Sequence, residues 1–274
     1  MALPPTTRPI GVFDSGVGGL SVLKALRERL PQESFIYLAD SGYAPYGERD
    51  SAHVLQRAQT IASYLIHSCQ AKTLVIACNT ATAAAVGVLR EKHTTTPIIG
   101  IEPAIKPAAA QSRTGGVGVL ATRSTLKSAK FAALVAAQDL RTRFVLQPCD
   151  GLAVAIERAD TPEIAQLAGH YVAALGPLGH AAAQLDTLVL GCTHYALVAD
   201  VFAALVAGRC TVYEAGAPVA RRLQDVLSAQ NLLAPAQMGQ GSVELWSTGQ
   251  TEPLERTAAH WMHMPLAAQR LDLA

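Results

Sequence analysis

Two short segments of the sequence resemble each other, and each carries a cysteine at the same place. Residues 73–80 read TLVIACNT, and residues 187–194 read TLVLGCTH. Each segment is an apolar run that ends on a small residue, followed by the cysteine and then by small hydroxyl or amide side chains. Two equivalent thiols, Cys78 and Cys192, can therefore face each other at the mouths of two similar half-domains. This arrangement suits an enzyme that removes a proton from one side of a carbon and returns one to the other.

Both cysteines come directly before a predicted helix. The N-terminus of a helix presents backbone N–H groups and the positive end of the macrodipole, which favour a thiolate. Asn79, Thr80 and Thr193 can bind a carboxylate at the same electropositive ends. His194 is the only histidine beside a candidate nucleophile, so it can tune Cys192 or relay its proton.

A glycine-rich turn, DSGVGGLS at residues 14–21, joins the first predicted strand to a helix. Such turns can cradle a phosphate, which makes a phosphate- or nucleotide-binding regulatory protein the alternative from another class. The spacing matches neither GxGxxG nor GxxxxGK[ST], and Asp14 would repel a phosphate. An acid followed by the hydroxyl of Ser15 fits an ammonium group better.

Two further places offer polar groups at strand ends. The loop at Pro45, Tyr46 and Gly47 presents a phenol hydroxyl and backbone amides that can face a carboxylate. Thr122 and Thr125 lie where a second glycine-containing strand meets its helix, and they supply hydroxyl groups.

Glu157 is an acid within the apolar run LAVAIE at residues 152–157. From the residues alone, the helical phase of this run predicts a solvent-exposed carboxylate.

The elements that must position these residues alternate along the chain. Apolar β-branched runs alternate with Ala/Leu-rich amphipathic stretches, which indicates an α/β fold with largely parallel sheets. In such sheets ligands bind beyond the carboxyl ends of the strands, where every candidate residue except Glu157 falls. The predicted strands are 10–13, 35–38, 73–77, 97–100, 116–120, 143–146, 187–190, 211–213 and 243–247; the predicted helices are 19–30, 51–68, 81–92, 124–137, 162–175, 195–207, 217–230 and 253–263.

The repetition extends beyond the cysteines, because residues 10–15 also resemble residues 117–122. We therefore predict two pseudo-symmetric, doubly wound, largely parallel sheet domains with the active site in the cleft between them. The first α/β domain is expected to comprise residues 1–101 plus 214–274, and the second residues 102–213.

Composition narrows the class of protein. The 274 residues are 50% hydrophobic and 16% charged, which predicts packed cores and excludes disorder. A formal net charge of +1 without a Lys/Arg cluster argues against a nucleic-acid or membrane surface. The five cysteines are odd in number and lack zinc-type spacing, so we expect free thiols in a cytoplasmic protein and no metal site.

Taken in this order and spacing, the motifs resemble those of the glutamate racemases, the cofactor-independent enzymes of the aspartate/glutamate racemase superfamily. The resemblance runs from residue 10 to about residue 220, and the segments that carry it are 14–19 (DSGVGG), 45–47 (PYG), 78–81 (CNTA), 101–103 (IEP) and 190–195 (LGCTHY).

The resemblance implies interconversion of L- and D-glutamate by a cytoplasmic homodimer without cofactor, the D isomer serving peptidoglycan synthesis. It gives Cys192 the role of the base that deprotonates the L isomer and Cys78 that of the base for the D isomer. Asp14, Glu157 and His194 match assisting acid/base positions. The substrate-binding positions implied by the resemblance are Asp14, Ser15, Pro45, Tyr46, Gly47, Cys78, Asn79, Thr80, Thr122, Thr125, Cys192, Thr193 and His194.

The sequence departs from the family pattern at two places and leaves the substrate open. Asp150 follows Cys149 where the family often has proline, and YEAG at residues 213–216 replaces a more usual Asp-Ser-Gly, so no role is assigned to Glu214. Aspartate racemase or another two-cysteine amino-acid racemase or epimerase stays an alternative within the superfamily. A non-catalytic partner-binding role also stays open.

Overall fold

The computed structural model describes residues 4–273 and divides them into two compact units. One unit is formed by the described residues of Met1–Ile101 and Gly216–Ala274, and the other by Glu102–Ala215.

Strands and helices alternate along most of the described chain. The strands are β1 (Ile10–Asp14), β2 (Phe35–Ala39), β3 (Thr73–Ile76), β4 (Ile98–Gly100), β5 (Gly116–Ala121), β6 (Arg143–Pro148), β7 (Thr187–Leu190), β8 (Thr211–Tyr213), β9 (Val243–Ser247) and β10 (Ala268–Arg270). The α-helices are α1 (Leu20–Arg29), α2 (Ser51–Ser63), α3 (Asn79–Lys92), α4 (Ile105–Gln111), α5 (Arg123–Lys127), α6 (Ala129–Ala136), α7 (Leu152–Arg158), α8 (Thr161–Ala174), α9 (Thr193–Leu197), α10 (Ala199–Val206), α11 (Gly216–Ala229) and α12 (Glu252–Met262).

The first unit contains a six-stranded parallel sheet in the order β10-β9-β2-β1-β3-β4. The chain moves from β1 to β2 on one side and then crosses back to β3 and β4 on the other. This reversal creates a switch point between β1 and β3, where open α/β sheets bind ligands. Asp14 ends β1, and Cys78 follows the end of β3 by two residues. Both residues therefore lie at the carboxyl ends of adjacent strands, at the switch point.

The second unit repeats the arrangement with four parallel strands in the order β6-β5-β7-β8. This is the order of β2-β1-β3-β4 in the first unit, so the predicted pair of parallel sheets is confirmed. The switch point lies between β5 and β7, and Leu120 of β5 pairs with Leu190 of β7 beside it. Thr122 follows β5 and Cys192 follows β7, so both residues lie at the carboxyl ends of these strands.

Each unit has its own hydrophobic core. In the first, β1 and β2 are buried at every residue, as expected for parallel strands with helices on both faces. Helix α1 packs against α11 and α12, while α2 packs against α3. The core cluster there includes Phe13, Leu38, Tyr46 and Cys78, so two candidate site residues belong to the core itself. The second core includes Val117, Val119, Phe131 and Val189.

Two predicted helices are each divided into two. The expected helix over 124–137 breaks at Ser128, whose extended backbone and hydroxyl cap α6 by accepting the Phe131 N–H at 3.1 Å. The expected helix over 195–207 breaks at Val198, leaving α9 and α10. Over residues 4–273, no helix is long and apolar enough to span a membrane.

Asp186 at the start of β7 is a buried carboxylate with a testable effect on stability. Burial by itself raises the pKa of Asp186, but hydrogen bonds from Ser112 Oγ (2.6 Å), the backbone N–H groups of Thr114 and Arg113, and the Thr187 hydroxyl outweigh it and lower the pKa to about 2. A carboxylate with a lowered pKa stabilises the fold above its ordinary pKa of about 4, and the effect is lost as the pH falls to about 2.

We expect Asp186→Asn to reduce the free energy of unfolding at pH 7 by about 2 kcal/mol. Urea unfolding at pH 7, 4 and 2.5 should show the difference from the parent chain shrinking below pH 4. Asp139 is the matched control, because its hydrogen bonds to Arg141 also lower its pKa to about 2, but on the exposed surface. Since water screens an exposed pair, Asp139→Asn should change little. An Asp186→Asn variant as stable as the parent at pH 7 would contradict the interpretation.

Candidate active site

Asp14 is the centre of the polar groups at the first switch point. Its side chain is fully buried, and its Oδ1 accepts the Gly16 N–H at 2.9 Å and the Ser15 hydroxyl at 3.3 Å. The first N–H of the glycine-rich turn therefore points at a carboxylate of this chain. A turn built around its own anion is a poor phosphate cradle, which disfavours the nucleotide-binding alternative.

Gly19 allows α1 to begin beside this carboxylate. A Cβ at Gly19 would lie 2.7 Å from the Asp14 Cβ and 2.8 Å from the Tyr37 hydroxyl oxygen, which is closer than packing permits. The Tyr37 hydroxyl in turn donates to the Gly16 carbonyl at 2.7 Å. Close packing around Asp14 thus explains the glycine at position 19.

Cys78 occupies the junction between β3 and α3. It is the N-cap residue of α3, and its Sγ accepts the Ala81 N–H at 3.4 Å. The same Sγ lies 3.7 Å from the Ser15 Oγ. An N–H donor at the start of a 14-residue helix stabilises negative charge on the sulfur.

The first turn of α3 adds two buried polar side chains beside Cys78. Asn79 is 6% exposed and Thr80 is 4% exposed. Within residues 4–273, Asn79 Oδ1 is buried and has no hydrogen-bond partner. A buried polar atom without a partner costs free energy, so the Asn79 amide is suited to a ligand group.

The loop at Pro45, Tyr46 and Gly47 differs from the expectation in one respect. The Tyr46 ring is buried, and its hydroxyl donates to Asp40 Oδ2, so its proton is already committed inside the protein. Burial raises the pKa of Tyr46, and the neighbouring Asp40 charge raises it further. The phenol therefore stays protonated, and Pro45 and Gly47 are left to offer backbone groups.

Cys192 occupies the equivalent junction between β7 and α9, with different partners. It is the N-cap residue of a helix of only five residues, and its side chain makes no capping hydrogen bond there. Instead its Sγ lies 3.7 Å from His194 Nδ1. Thr193, which is also buried, separates these two residues in the sequence. The two cysteines thus share a place in the fold, while a histidine serves only the second.

Glu157 corrects the expectation of an exposed carboxylate. Helix α7 carries it to His194, whose Nε2 lies 2.6 Å from Glu157 Oε1, and its side chain is only 23% exposed. Burial by itself lowers the pKa of His194, but the hydrogen bonds to Cys192 and Glu157 and their charges raise it well above its ordinary value. An imidazolium at this position donates from Nε2 to Glu157 and from Nδ1 towards Cys192.

Thr122 and Thr125 lie together at the carboxyl end of β5. Thr122 is the N-cap of α5, and its Oγ1 accepts the Thr125 N–H at 3.2 Å and donates to the Thr125 Oγ1 at 2.9 Å. Thr125 is 2% exposed. The cap fixes both hydroxyls at the second switch point.

Sequence reasoning gave no role to three residues that support these groups. The Tyr195 hydroxyl donates to the Cys149 carbonyl at 3.2 Å, which ties α9 to the end of β6. Asp40 and Arg57 form a buried ion pair behind Tyr46. A charged residue directly after a strand was an available signal for Asp40. Arg57 gave none, because its helix reads as an ordinary amphipathic one.

The cysteine side chains are available as thiols. All five cysteines lie within the described residues, and each is free of a disulfide. In the part of the chain that the structure describes, no group of three or more His, Cys, Asp or Glu side chains is placed to hold a metal ion. At each switch point one of these thiols, Cys78 or Cys192, has polar neighbours at the carboxyl ends of parallel strands.

Comparison with known proteins identifies the family of this chain. The family model described as Asp/Glu/hydantoin racemase matches residues 10–220. A curated glutamate racemase from Ectopseudomonas mendocina is 47% identical over 251 residues, covering 90% of this chain and 92% of that protein. A glutamate racemase isoform from Bacillus anthracis superposes with a TM-score of 0.86 at 29% identity, covering 98% of each chain. The glutamate racemase from Francisella tularensis, solved in complex with D-glutamate, gives 0.83 at 25% identity and the same coverage. The chain belongs to the Asp/Glu/hydantoin racemase family.

Proposed function

We propose that this protein interconverts L- and D-glutamate without a cofactor, using Cys78 and Cys192 as its two bases. The observation that carries the proposal is the matched placement of the two thiols. Each follows the third strand of its unit at the switch point of a parallel sheet and precedes a helix. The relatives named above, one of them solved with D-glutamate, support glutamate as the substrate.

In the proposed reaction the Cys192 thiolate takes the α-proton of L-glutamate. The electrons of the broken Cα–H bond are delocalised into the α-carboxylate as an enolate-like species. The Cys78 thiol then donates its proton to the opposite face of the same carbon, which gives D-glutamate and a Cys78 thiolate. Deprotonation of the D isomer by Cys78 follows the same path in reverse.

The other residues bind the substrate and stabilise charge. Asn79, Thr80 and Thr193 lie in the first turns of α3 and α9, and we assign them to the carboxylate on which charge builds. Asp14 and Ser15 face the ammonium group. Backbone groups of the Pro45–Gly47 loop, together with the hydroxyls of Thr122 and Thr125, complete the substrate contacts.

Glu157 and His194 act at Cys192. Glu157 helps to raise the pKa of His194, and the imidazolium lies beside the Cys192 sulfur that accepts the α-proton of the L isomer. We further propose a cytoplasmic homodimer that supplies D-glutamate for peptidoglycan synthesis.

The test is α-proton exchange in D2O with no cofactor added. With L-glutamate, we expect the α-proton signal in NMR and the circular dichroism signal to decay together, because exchange accompanies inversion. Starting from D-glutamate should give the same kcat/KM, since the equilibrium constant of a racemisation is one. L-Aspartate is the comparison substrate. Exchange of aspartate alone would keep the two thiols and replace the substrate, and exchange of neither would refute the proposal.

A further inference from the structure

A buried carboxylate that the proposed chemistry does not use lies behind the Pro45–Gly47 loop. Asp40 follows β2 and is fully buried. Its Oδ2 accepts the Tyr46 hydroxyl, and its Oδ1 accepts the Thr248 hydroxyl at 2.9 Å. A carboxylate removed from water in this way needs a partner of opposite charge.

Arg57 of α2 supplies that charge in a fork. Its Nε donates to Asp40 Oδ2 at 3.1 Å, and its Nη2 donates to Asp40 Oδ1 at 3.0 Å. The Arg57 side chain is only 5% exposed. A guanidinium can bridge both oxygens of a carboxylate in one plane, whereas an ammonium acts as a single point of charge.

The other side of Arg57 holds the C-terminal segment, residues 271–273. Arg57 Nη1 donates to the Leu273 carbonyl at 3.0 Å, and the Tyr43 hydroxyl donates to the same carbonyl at 3.4 Å. The Arg57 Cζ lies 3.5 Å from the centroid of the Tyr43 ring. The Leu271 N–H donates to the Ser247 carbonyl, which fixes this segment to β9. The Arg57 guanidinium thus joins the C-terminal segment to Asp40, and through Asp40 to Tyr46 of the Pro45–Gly47 loop.

We propose that Arg57 is a positioning residue for the Pro45–Gly47 loop, acting through Asp40 and Tyr46, with the C-terminal segment as its support. The inference rests on the proposed glutamate racemisation, in which this loop contacts the substrate. The short turn at Tyr46–Glu48 packs against α3, the helix that Cys78 caps. A displaced loop would therefore weaken the contacts that hold the substrate beside Cys78.

The competing explanation is that the Asp40–Arg57 pair only stabilises the first unit. A second buried ion pair in the same unit provides a matched control. Lys72 Nζ lies 2.6 Å from Glu33 Oε2, and both side chains are at most 2% exposed. Lys72 immediately precedes β3, so this pair lies at the opposite ends of the strands from Asp40. Loss of either pair should destabilise the unit, but only one should affect the substrate.

The experiment compares Arg57→Lys, Tyr46→Phe, the double variant and Lys72→Met with the parent chain. For each protein, KM and kcat are measured with L- and D-glutamate, and Tm is measured by circular dichroism. We expect Arg57→Lys and Tyr46→Phe each to raise KM at least tenfold, with kcat changed less than threefold. Because both act through the same carboxylate, the double variant should raise KM no further than the larger single effect. Lys72→Met should lower Tm and leave KM within twofold.

A parental KM in Arg57→Lys overturns the inference, as does a rise in Lys72→Met equal to that in Arg57→Lys. Additive effects of Arg57→Lys and Tyr46→Phe would also overturn it, because they would act on different contacts. If Arg57→Lys does not fold, Thr248→Val takes its place in the cycle by removing another donor to Asp40. If the parent protein itself exchanges no glutamate α-proton, the proposed function fails and the inference fails with it. If the parent protein exchanges the proton and only the variants depart from the expected results, the inference alone fails.

Discussion

Replacement of either Cys78 or Cys192 by alanine should abolish glutamate racemisation. Each thiol transfers a proton at its own face of the α-carbon, so neither can take over the step of the other. Loss of a positioned acid or base typically costs about 10²–10⁴-fold in rate, and a two-base reaction loses turnover altogether when one base is gone. Circular dichroism of L-glutamate and D-glutamate solutions at high enzyme concentration measures the residual rate.

A half-reaction then separates the two cysteines. In 3-chloroglutamate, removal of the α-proton lets the Cα–H electrons form a Cα–Cβ double bond while chloride leaves, so one base is enough. We expect Cys78→Ala to retain elimination from the L configuration at Cα and to lose it from the D configuration. Cys192→Ala should show the reverse, and chloride release measures both.

Cys210→Ala is the matched control for these variants. The Cys210 thiol is buried and donates to the Leu185 carbonyl, and burial raises its pKa to about 11, so it serves packing rather than proton transfer. This variant should racemise glutamate like the parent. Normal racemisation by Cys78→Ala or Cys192→Ala would refute the two-base mechanism.

The sequence predicted the parallel strands of both units because buried parallel strands appear as continuous apolar runs. All nine predicted strands are present, and their ends carry Asp14, Cys78, Thr122 and Cys192 to the switch points. What it missed is short and weakly patterned. Strand β10 reads AQR and is mostly exposed, and α4 is a seven-residue helix with Pro107 in its first turn.

The candidate site residues that directly follow a strand could be predicted from the sequence. Their hydrogen-bond partners on distant helices and strands were harder to predict. Glu157 could not be assigned to His194 by helical phase, because what pairs them is the packing of α7 against α9. The Tyr46 hydroxyl was visible in the sequence, but its acceptor is set by the position of Asp40. Pairings of this kind depend on tertiary structure, which periodicity does not encode.

The contacts from Glu157 to His194 and from His194 to Cys192 predict the second large effect, which falls on proton transfer at Cys192. His194→Asn removes the cation beside the Cys192 sulfur, so we expect kcat/KM for glutamate to fall about 10²-fold. Elimination from the L configuration of 3-chloroglutamate should fall with it. Elimination from the D configuration depends on Cys78 and should be kept. His170→Asn is the control, because His170 is exposed on α8 and packs on Tyr171.

Glu157→Gln tests the same contacts through the pH dependence of kcat/KM. Burial of His194 opposes its protonation, and the Glu157 carboxylate helps to overcome this, so the pKa of His194 is raised in the parent chain. The protonated form is therefore present at low pH and is lost as the pH rises through the raised pKa. With glutamine at 157 that pKa falls, and the alkaline limb of the kcat/KM profile should move to lower pH. An unchanged alkaline limb in Glu157→Gln, together with equal losses of elimination from the L and D configurations of 3-chloroglutamate in His194→Asn, would show that His194 does not act through Cys192.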